Sequence, residues 1–415
     1  MQQRYYTLSD MKCLFETLKG FKKSDDTKGI TRLAYSTEDE AAHQFMIKTM
    51  KEYGLTVRVD AIGNVFARLQ GKNSQLSAVG TGSHLDTVPE GGAYDGTLGV
   101  IAGLYALMQF KSGELLRDLE LVIFRAEESS RFGFSCIGSK VMTGNLDIEH
   151  WKKNVDDEGK NFFNIIDEVG YSSEKIDTCV LPDNYFSAFV ELHVEQGARL
   201  EKDSLEVGVV NGIAAPTRFE VVVKGQADHS GATPMNQRQD ALVASAGIIR
   251  NINHAACRES YLGTVATVGK MEVHPNSMNV IPGRVNFYVD IRGLEKASIA
   301  RIVDILHEAI RVAEVDNDVT IMLREISSEE PVKLDESICG VIANQCKKRN
   351  VSYMNMPSGA GHDTMYIAKK YPAAMIFTPS RHGISHHHDE FTCFSDIEVA
   401  ATLLVDTLKD LGNRQ

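Results

Sequence analysis

The sequence predicts an α/β protein of two domains, in which a mostly parallel-sheet domain is interrupted by an inserted, ferredoxin-like α+β domain. Strands and helices alternate over residues 55–125 and again after Pro331, a pattern typical of parallel sheets. Residues 214–327 instead follow a β-α-β-β-α-β order. The length of 415 residues exceeds what one ordinary core accommodates. We therefore assign 1–213 and 328–415 to the first domain and 214–327 to the inserted one.

Apolar periodicity and capping residues predict the elements of the first domain. Thr7 and Thr37 are the expected caps of its first two helices. Residues 140–184 are polar and irregular, with short helices expected. The predicted helices are 7–20, 37–53, 97–111, 335–349 and one from Asp396, and the predicted strands are 55–60, 64–69, 76–79, 119–125, 185–194 and 373–378.

The inserted domain is predicted in the same way. Its strands are expected at 218–224, 263–273, 283–292 and 319–325, and its helices at 240–256 and 298–313. We expect a compact unit of 214–327 with its own core.

Composition narrows the possible partners and location. A formal net charge of -12 argues against nucleic acid or an anionic membrane as partner, but not against small anionic substrates. The longest nearly apolar run, Leu98 to Phe110, is too short to span a bilayer. The seven cysteines are scattered without Cys-x-x-Cys, and the N-terminus lacks an apolar signal region. These features favour a reduced, cytoplasmic protein.

The stretch 81–95 is the first candidate for chemistry. An apolar lead-in runs into a glycine-rich loop that carries His84, Asp86 and Asp95. On an extended segment, His84 and Asp86 would face the same side because they are two residues apart. They are expected to bind a metal or to orient a ligand of one. The alternative is a set of solvated turn residues.

Glu127 and Glu128 follow the strand 119–125 directly. Ligands in parallel sheets bind beyond the carboxyl ends of strands, so this pair shares the expected edge with His84. One glutamate could ligate a metal while the other acts as a general base. The alternative is an ordinary solvated pair.

Two further segments carry polar groups near strand ends. In 185–194 and just beyond, period two puts Glu191, His193 and Glu195 on one face, which indicates either a ligand site or an edge strand facing water. The His-rich tract 382–390 follows strand 373–378 and could be a ligand source or a surface metal trap. Imidazole and carboxylate together suit zinc, manganese or cobalt. Nucleotide binding is excluded, because neither G-x-G-x-x-G nor a Walker lysine is present.

Nine motifs in this order together resemble the M20 metallopeptidase-like amidohydrolases. Within them, the chain resembles the branch of N-carbamoyl-L-amino acid hydrolases, allantoate amidohydrolases and β-ureidopropionases. The motifs lie at 82–88, 94–96, 126–132, 191–197, 228–234, 279–283, 290–292, 358–363 and 383–386.

The resemblance implies a dinuclear centre of two divalent metal ions, zinc, manganese or cobalt, bridged by Asp95. Asp86 would orient His84, and Glu127 would be the general base and then the proton donor. This sequence departs from the pattern where His386 is followed by His387 and His388, so the ligand could be any of the three. The implied metal ligands are His84, Asp95, Glu128, His193 and His386.

The resemblance also implies that the inserted domain contacts the substrate and forms the dimer, and the domain layout suggests that it closes over the substrate as a lid. His229 would polarise the scissile carbonyl in the partner subunit's site, and Asn279 and Arg292 would hold the substrate carboxylate. The alternative for His229 and Arg292 is an ordinary surface role. Gln196, Gly359, Ala360 and Gly361 are further pocket candidates, and His362 and Asp363 are expected to support the site.

The expected activity is metal-dependent hydrolysis of an N-carbamoyl-L-amino acid, a small ureido-carboxylic acid, by a homodimer. Allantoate is the nearest alternative substrate, and an N-acyl amino acid or dipeptide is the next. A non-catalytic metal- or ligand-binding relative is the alternative of another class, but it would not need Glu127.

Overall fold

The computed structural model describes residues 6–23 and 28–415. The expectation of an N-terminus without a signal region falls largely on residues 1–5, outside the described residues.

The helices are α1 Leu8–Lys19, α2 Thr37–Glu52, α3 Thr97–Leu107, α4 Ile137–Thr143, α5 Ile148–Lys153, α6 Phe162–Glu168, α7 Arg199–Asp203, α8 Ala241–Glu259, α9 Lys296–Asn317, α10 Glu336–Arg349, α11 Thr364–Ile367 and α12 Phe394–Gly412.

The strands follow the same chain order. They are β1 Thr56–Val59, β2 Val65–Leu69, β3 Ala78–His84, β4 Leu119–Phe124, β5 Phe186–Val194, β6 Val207–Ile213, β7 Ala215–Lys224, β8 Asp228–His229, β9 Val265–His274, β10 Val280–Ile281, β11 Arg284–Gly293, β12 Thr320–Ser328, β13 Val332–Lys333, β14 Tyr353–Ser358 and β15 Ala373–Thr378.

The chain divides into two compact units. Among the described residues, unit 1 contains those up to Asn211 together with Leu334–Ser358 and His362–Gln415, and unit 2 contains Gly212–Lys333 and Gly359–Gly361. The sheet of unit 1 has the strand order β1-β2-β4-β3-β5-β15-β6, and β14 also pairs with β6. Its central pairs, β4 with β3, β3 with β5 and β5 with β15, are parallel, whereas β1 with β2, β2 with β4 and β15 with β6 are antiparallel. The α/β fold class is confirmed, with parallel pairing at the centre of the sheet.

Helices cover both faces of this sheet. A large apolar cluster joins α1, α3, α10 and α12 to one face, including Ala188, Val190 and Leu192 of β5. A smaller cluster covers the other face and includes Phe186 and Phe189. Period two along 185–194 predicts that Phe186 shares a face with Ala188, and this prediction is therefore wrong. The reason is an irregularity in the β3–β5 pairing beside Ser187, which shifts the register.

Strand β5 is paired on both sides, by β3 and β15. The alternative of an edge strand facing water is therefore wrong. Its polar residues Glu191 and His193 are fully buried, and buried polar groups require partners. Two strands of unit 1, β6 and β14, were not expected from the sequence.

Unit 2 has the strand order β12-β7-β11-β9, and every neighbouring pair is antiparallel. Helices α8 and α9 pack on one face around a core that includes Ile248, Phe287 and Leu306. A separate two-stranded sheet pairs β8 with β10. Whether this unit acts as a lid stays a prediction.

Two helix starts show how local chemistry determines element ends. Thr7 forms a capping box with Asp10 at the start of α1, as the sequence predicts. The cap of α2 is Ser36, whose side chain accepts from the Asp39 backbone, so the expectation of Thr37 is wrong by one residue. Within residues 6–23 and 28–415, no helix is long and apolar enough to cross a membrane.

Candidate metal centre

The carboxyl ends of neighbouring strands in unit 1 bring the ligand-type side chains together. His84 ends β3, Glu127 and Glu128 follow β4, and His193 lies near the end of β5. His386 comes from the loop after β15. Because these strands are parallel neighbours, their carboxyl ends meet at one edge of the sheet.

Asp95 lies at the centre of this group, and its two carboxylate oxygens face different partners. Oδ1 is 3.5 Å from His84 Nε2 and 3.1 Å from His193 Nε2. Oδ2 is 3.2 Å from His386 Nε2, which is 3.5 Å from Glu128 Oε1. Asp95 therefore belongs to two groups of three donors, one with His84 and His193 and one with Glu128 and His386.

Backbone carbonyls orient two of the imidazoles. His84 Nδ1 is 3.0 Å from the carbonyl oxygen of Asp86, and His193 Nδ1 is 3.0 Å from that of Val194. If each Nδ1 carries the proton, each Nε2 presents a lone pair towards Asp95. This is the usual arrangement behind metal-bound histidines.

The carboxylate of Asp86 contacts the turn that carries the two glutamates. Its Oδ1 accepts the backbone N–H of Glu127 at 3.2 Å, and its Oδ2 accepts that of Glu128 at 2.9 Å. Its distance to His84 Nδ1 is 3.6 Å, too long for a hydrogen bond. Asp86 therefore orders the Glu127–Glu128 turn through its side chain and His84 through its backbone.

Burial and crowding shift the protonation of the group. Burial alone would raise the pKa of Asp95, but the adjacent imidazoles of His193, His386 and His84 hold it well below its usual range. Burial, followed by the repulsion of Asp95, raises the pKa of Glu128 to about 7. Burial and the neighbouring charges of Glu128 and Asp363 raise the pKa of Glu127 far above its usual value. A bound cation would offset this repulsion.

Unusual backbone conformations cluster at the site. Ala126, Gln196 and His386 have φ values of 53°, 56° and 55°, in the left-handed region that non-glycine residues rarely adopt. A Cβ on Gly96 would lie 2.4 Å from the His84 ring, so only glycine fits beside this imidazole. The site therefore requires particular backbone conformations as well as particular side chains.

Some contacts were not anticipated from the sequence. Gln196, expected in the substrate pocket, donates from Nε2 to Asp95 Oδ2 at 2.8 Å. The buried thiol of Cys136 lies 3.2 Å from Glu127 Oε1. The buried Glu390 accepts the backbone N–H groups of Tyr94 and Asp95. The contacts of Gln196 and Glu390 join segments far apart in the chain, and no local pattern signals them.

The structure separates His386 from its two histidine neighbours. His386 faces Asp95 and Glu128, whereas His387 and His388 lie beside Asp389, at 3.5 and 3.7 Å from its carboxylate oxygens. This geometry favours His386 as the ligand at the Asp95 group. His362 and Asp363 are buried nearby, with the His362 ring centroid 4.5 Å from that of His193.

The other predicted residues lie in unit 2. His229 and Asn279 are exposed and adjacent, because His229 pairs with Val280 between β8 and β10. His229 Nδ1 accepts the backbone N–H of Gly231 at 3.0 Å, which leaves Nε2 as its other polar atom. The backbone N–H of Ser230 donates to the carbonyl oxygen of Asn279 at 3.1 Å.

Arg292 connects two of the predicted pocket segments within unit 2. Its Nη1 donates to the carbonyl oxygen of Gly359 at 3.0 Å, and its Nε and Nη2 donate to Asp290. The Arg292 side chain is about one-third exposed. The structure thus places Arg292 beside the segment Gly359–Gly361. The sequence alone does not indicate this contact, because Arg292 and Gly359 are 67 residues apart.

The donor set of unit 1 fits divalent metal ions. Each of the two groups offers three nitrogen or oxygen atoms that lie within 4.8 Å of one another. Imidazole and carboxylate donors are those that zinc, manganese and cobalt prefer. Glu127 belongs to neither group, although its Oε2 lies 3.8 Å from His84 Nε2.

Comparison with known proteins identifies the family. The profile of Peptidase family M20/M25/M40 matches residues 80–410, which is most of the chain. The chain belongs to this family. Family M20 is hydrolytic, and its enzymes bind divalent metals.

Individual relatives narrow the chemistry within family M20. An uncharacterized hydrolase of Haemophilus influenzae is 44% identical, covering 90% of this chain and 92% of the relative. The allantoate amidohydrolase of Bacillus subtilis is 37% identical, covering 92% and 93%. A solved amidase of the hydantoinase/carbamoylase family from Burkholderia multivorans has a TM-score of 0.92 at 31% identity, covering 99% of each chain. This chain is an amidohydrolase of the carbamoylase and allantoate amidohydrolase group, and it acts on non-peptide C–N bonds.

Proposed function

We propose that this chain binds two divalent metal ions and hydrolyses the ureido C–N bond of an N-carbamoyl-L-amino acid. The products would be the amino acid, carbon dioxide and ammonia. The observation that carries the proposal is the division of the Asp95 carboxylate between two donor groups, with Glu127 left outside both. A binding protein would have no use for this additional buried carboxylate.

His84, Asp95 and His193 would hold one metal ion, and Asp95, Glu128 and His386 the other. The metals would be zinc, manganese or cobalt, since imidazole and carboxylate ligands accept all three. When bound, such a pair supplies Lewis acidity that polarises a carbonyl and lowers the pKa of water.

Glu127 would carry the proton. Its carboxylate takes a proton from the attacking water and then delivers it to the leaving nitrogen of the ureido group. The carbamate that remains breaks down to carbon dioxide and the second amine product, so one water is consumed overall. Cys136 and the Asp86-ordered turn support this assignment, because both fix the position of the Glu127 carboxylate or backbone.

Residues of unit 2 would recognise the substrate. His229 would polarise the ureido carbonyl, and Asn279 and Arg292 would hold the α-carboxylate, with the backbone of Gly359–Gly361 beside it. A guanidinium fork suits a carboxylate, and the hydrogen bond from Arg292 to Gly359 supports a shared role.

The proposal extends to a homodimer formed through unit 2, in which His229 of the partner subunit serves each site. Large apolar side chains exposed on unit 2 support it, among them Met278, Val315 and Tyr261 at 102%, 82% and 78% exposure. Contiguous apolar surface is typical of interaction sites, whereas single exposed apolar side chains are ordinary. Light scattering of the purified chain would reveal the dimer, and a monomer at all concentrations would contradict it.

The test is ammonia release by protein reloaded with manganese, zinc or cobalt, against an N-carbamoyl-L-amino acid, allantoate and an N-acetyl-amino acid. For the acetyl compound, free amine is measured. We expect turnover of the carbamoyl compound. A preference for allantoate would favour the second candidate, which the identity to the Bacillus subtilis enzyme supports. Amine release from the acetyl compound alone would refute the ureido assignment, and no turnover with metal bound would favour a binding protein.

A further inference from the structure

The loop after β15 is fastened to the Asp95 loop by one buried carboxylate. Glu390 is 5% exposed. Its Oε1 accepts the backbone N–H groups of Tyr94 and Asp95, each at 3.0 Å. Its Oε2 accepts the Ser385 hydroxyl at 2.9 Å. One side chain therefore holds the backbone that carries Asp95 and the residue immediately before His386.

We infer that Glu390 is a positioning residue that fixes the Asp95 and His386 loops against each other, and so determines the affinity for the metal ion held by Asp95, Glu128 and His386. The inference rests on the proposed two-metal function.

The two donor groups depend on this connection to different degrees. His84 and His193 belong to strands β3 and β5, whose positions the sheet determines. His386 belongs to a loop, is half exposed, and has a positive φ. A loop ligand needs external support to stay within bonding distance of a metal. Loss of Glu390 should therefore affect the group with His386 much more than the group with His84 and His193.

The packing around Glu390 shows that its position is specified. A Cβ built on Gly92 would lie 2.3 Å from Glu390 Oε1 and 2.4 Å from its Cβ. Gly92 has no positive φ that would itself exclude alanine. Gly92→Ala should therefore displace the Glu390 side chain without removing it, which gives a second and independent way to disturb the same contact.

The experiment is a titration of the metal-free full-length protein with zinc in competition with a chelator, and it resolves each bound equivalent. We expect the wild type to bind two equivalents of zinc, and we expect His386→Ala to bind only one. Glu390→Ala should weaken the equivalent that His386→Ala loses by about tenfold to a hundredfold and leave the other unchanged. Glu390→Gln keeps an acceptor for the two backbone N–H groups and should lie between. Gly92→Ala should resemble Glu390→Ala.

Two controls separate positioning from a general structural role. Asp389→Asn changes the neighbouring exposed carboxylate and should leave the equivalent removed by His386→Ala unchanged. In the His386→Ala background, Glu390→Ala should have little further effect on the remaining equivalent, because two of its three ligands, His84 and His193, are held by strands of the sheet. The thermal unfolding midpoint of each metal-free variant is measured alongside.

If Glu390→Ala binds both metal ions as tightly as the wild type, the inference about Glu390 is wrong, but the two-metal proposal still stands. Equal weakening of both equivalents, or an additive loss in the His386→Ala background, would also overturn the inference and indicate a structural role. A wild type that binds only one metal ion would overturn the two-metal proposal and the inference with it.

Discussion

The two units differ in where they keep their charges. Unit 1 has exposed charged groups, but it also buries several that are joined to one another, as in the pair of Arg125 and Asp39, whose side chains are both 0% exposed. In unit 2 they lie at the surface, as in the pair of Arg218 and Asp290, whose side chains are 42% and 32% exposed. Burial strengthens the interaction between two charges and increases the free-energy cost of removing one of them. Solvent reduces both the interaction and that cost.

This difference in burial suits the two units to different functions, cation binding and substrate contact. A group of buried carboxylates and imidazoles can bind a cation in fixed geometry, because the fold has already removed competing water. Exposed groups on a separate unit can contact a substrate without being needed for folding. Substitutions of the buried charged groups in unit 1 should therefore change chemistry or stability strongly, and those of the exposed polar groups in unit 2 should change substrate handling alone.

The largest effect is expected at Glu127. Glu127→Gln keeps the shape but removes the group that accepts the proton, so kcat should fall by about 10³-fold. Metal content, measured by mass spectrometry, should stay that of the wild type because Glu127 belongs to neither donor group. Unchanged turnover would refute the role of Glu127.

A large effect on stability is expected at Asp39. The Arg125 guanidinium is buried between Asp39 and Glu40 and lies 4.3 Å from the Tyr35 ring centroid. Asp39→Asn leaves this charge poorly compensated, so the free energy of unfolding should fall by about 3–5 kcal/mol. Urea unfolding provides the measurement, with Glu38→Gln in the same helical turn as control. A loss no greater than that of the control would contradict the buried-charge argument.

A smaller effect, confined to activity, is expected at His229. His229→Ala removes the exposed group assigned to the ureido carbonyl, so kcat should fall by about 10²-fold. The unfolding midpoint should not change, since the side chain is exposed. His254→Ala, an exposed histidine on α8, should retain full activity. If both variants behave alike, His229 is an ordinary surface residue.

The smallest effect is expected at Arg292. Arg292→Lys keeps the positive charge but loses the planar fork, so KM should rise by about tenfold with kcat little changed. Arg284→Lys on the same strand should leave KM unchanged. An unaltered KM in Arg292→Lys would remove Arg292 from substrate binding and leave it as the partner of Asp290 and Gly359.

Sequence reasoning succeeded where the pattern is local. Period two along β5 placed Glu191 and His193 on the face opposite Ala188, and the strand-end rule brought His84 and Glu128 to one edge. Both follow from backbone geometry that each segment carries by itself.

It failed where contacts join distant segments. Gln196 meets Asp95, and Glu390 meets Tyr94, only after the sheet has formed. The register irregularity beside Ser187 and the cap at Ser36 depend on tertiary packing and on one-residue differences that propensity does not resolve. Strand β14 was missed because it contains Asn355 and Pro357, which are rare in strands.

The most direct test of the two-metal centre is anomalous diffraction from crystals of the protein loaded with manganese. We expect two peaks that share Asp95, one beside His84 and His193 and the other beside Glu128 and His386. A single peak, or a second peak held by His387, His388 and Asp389 instead, would contradict it.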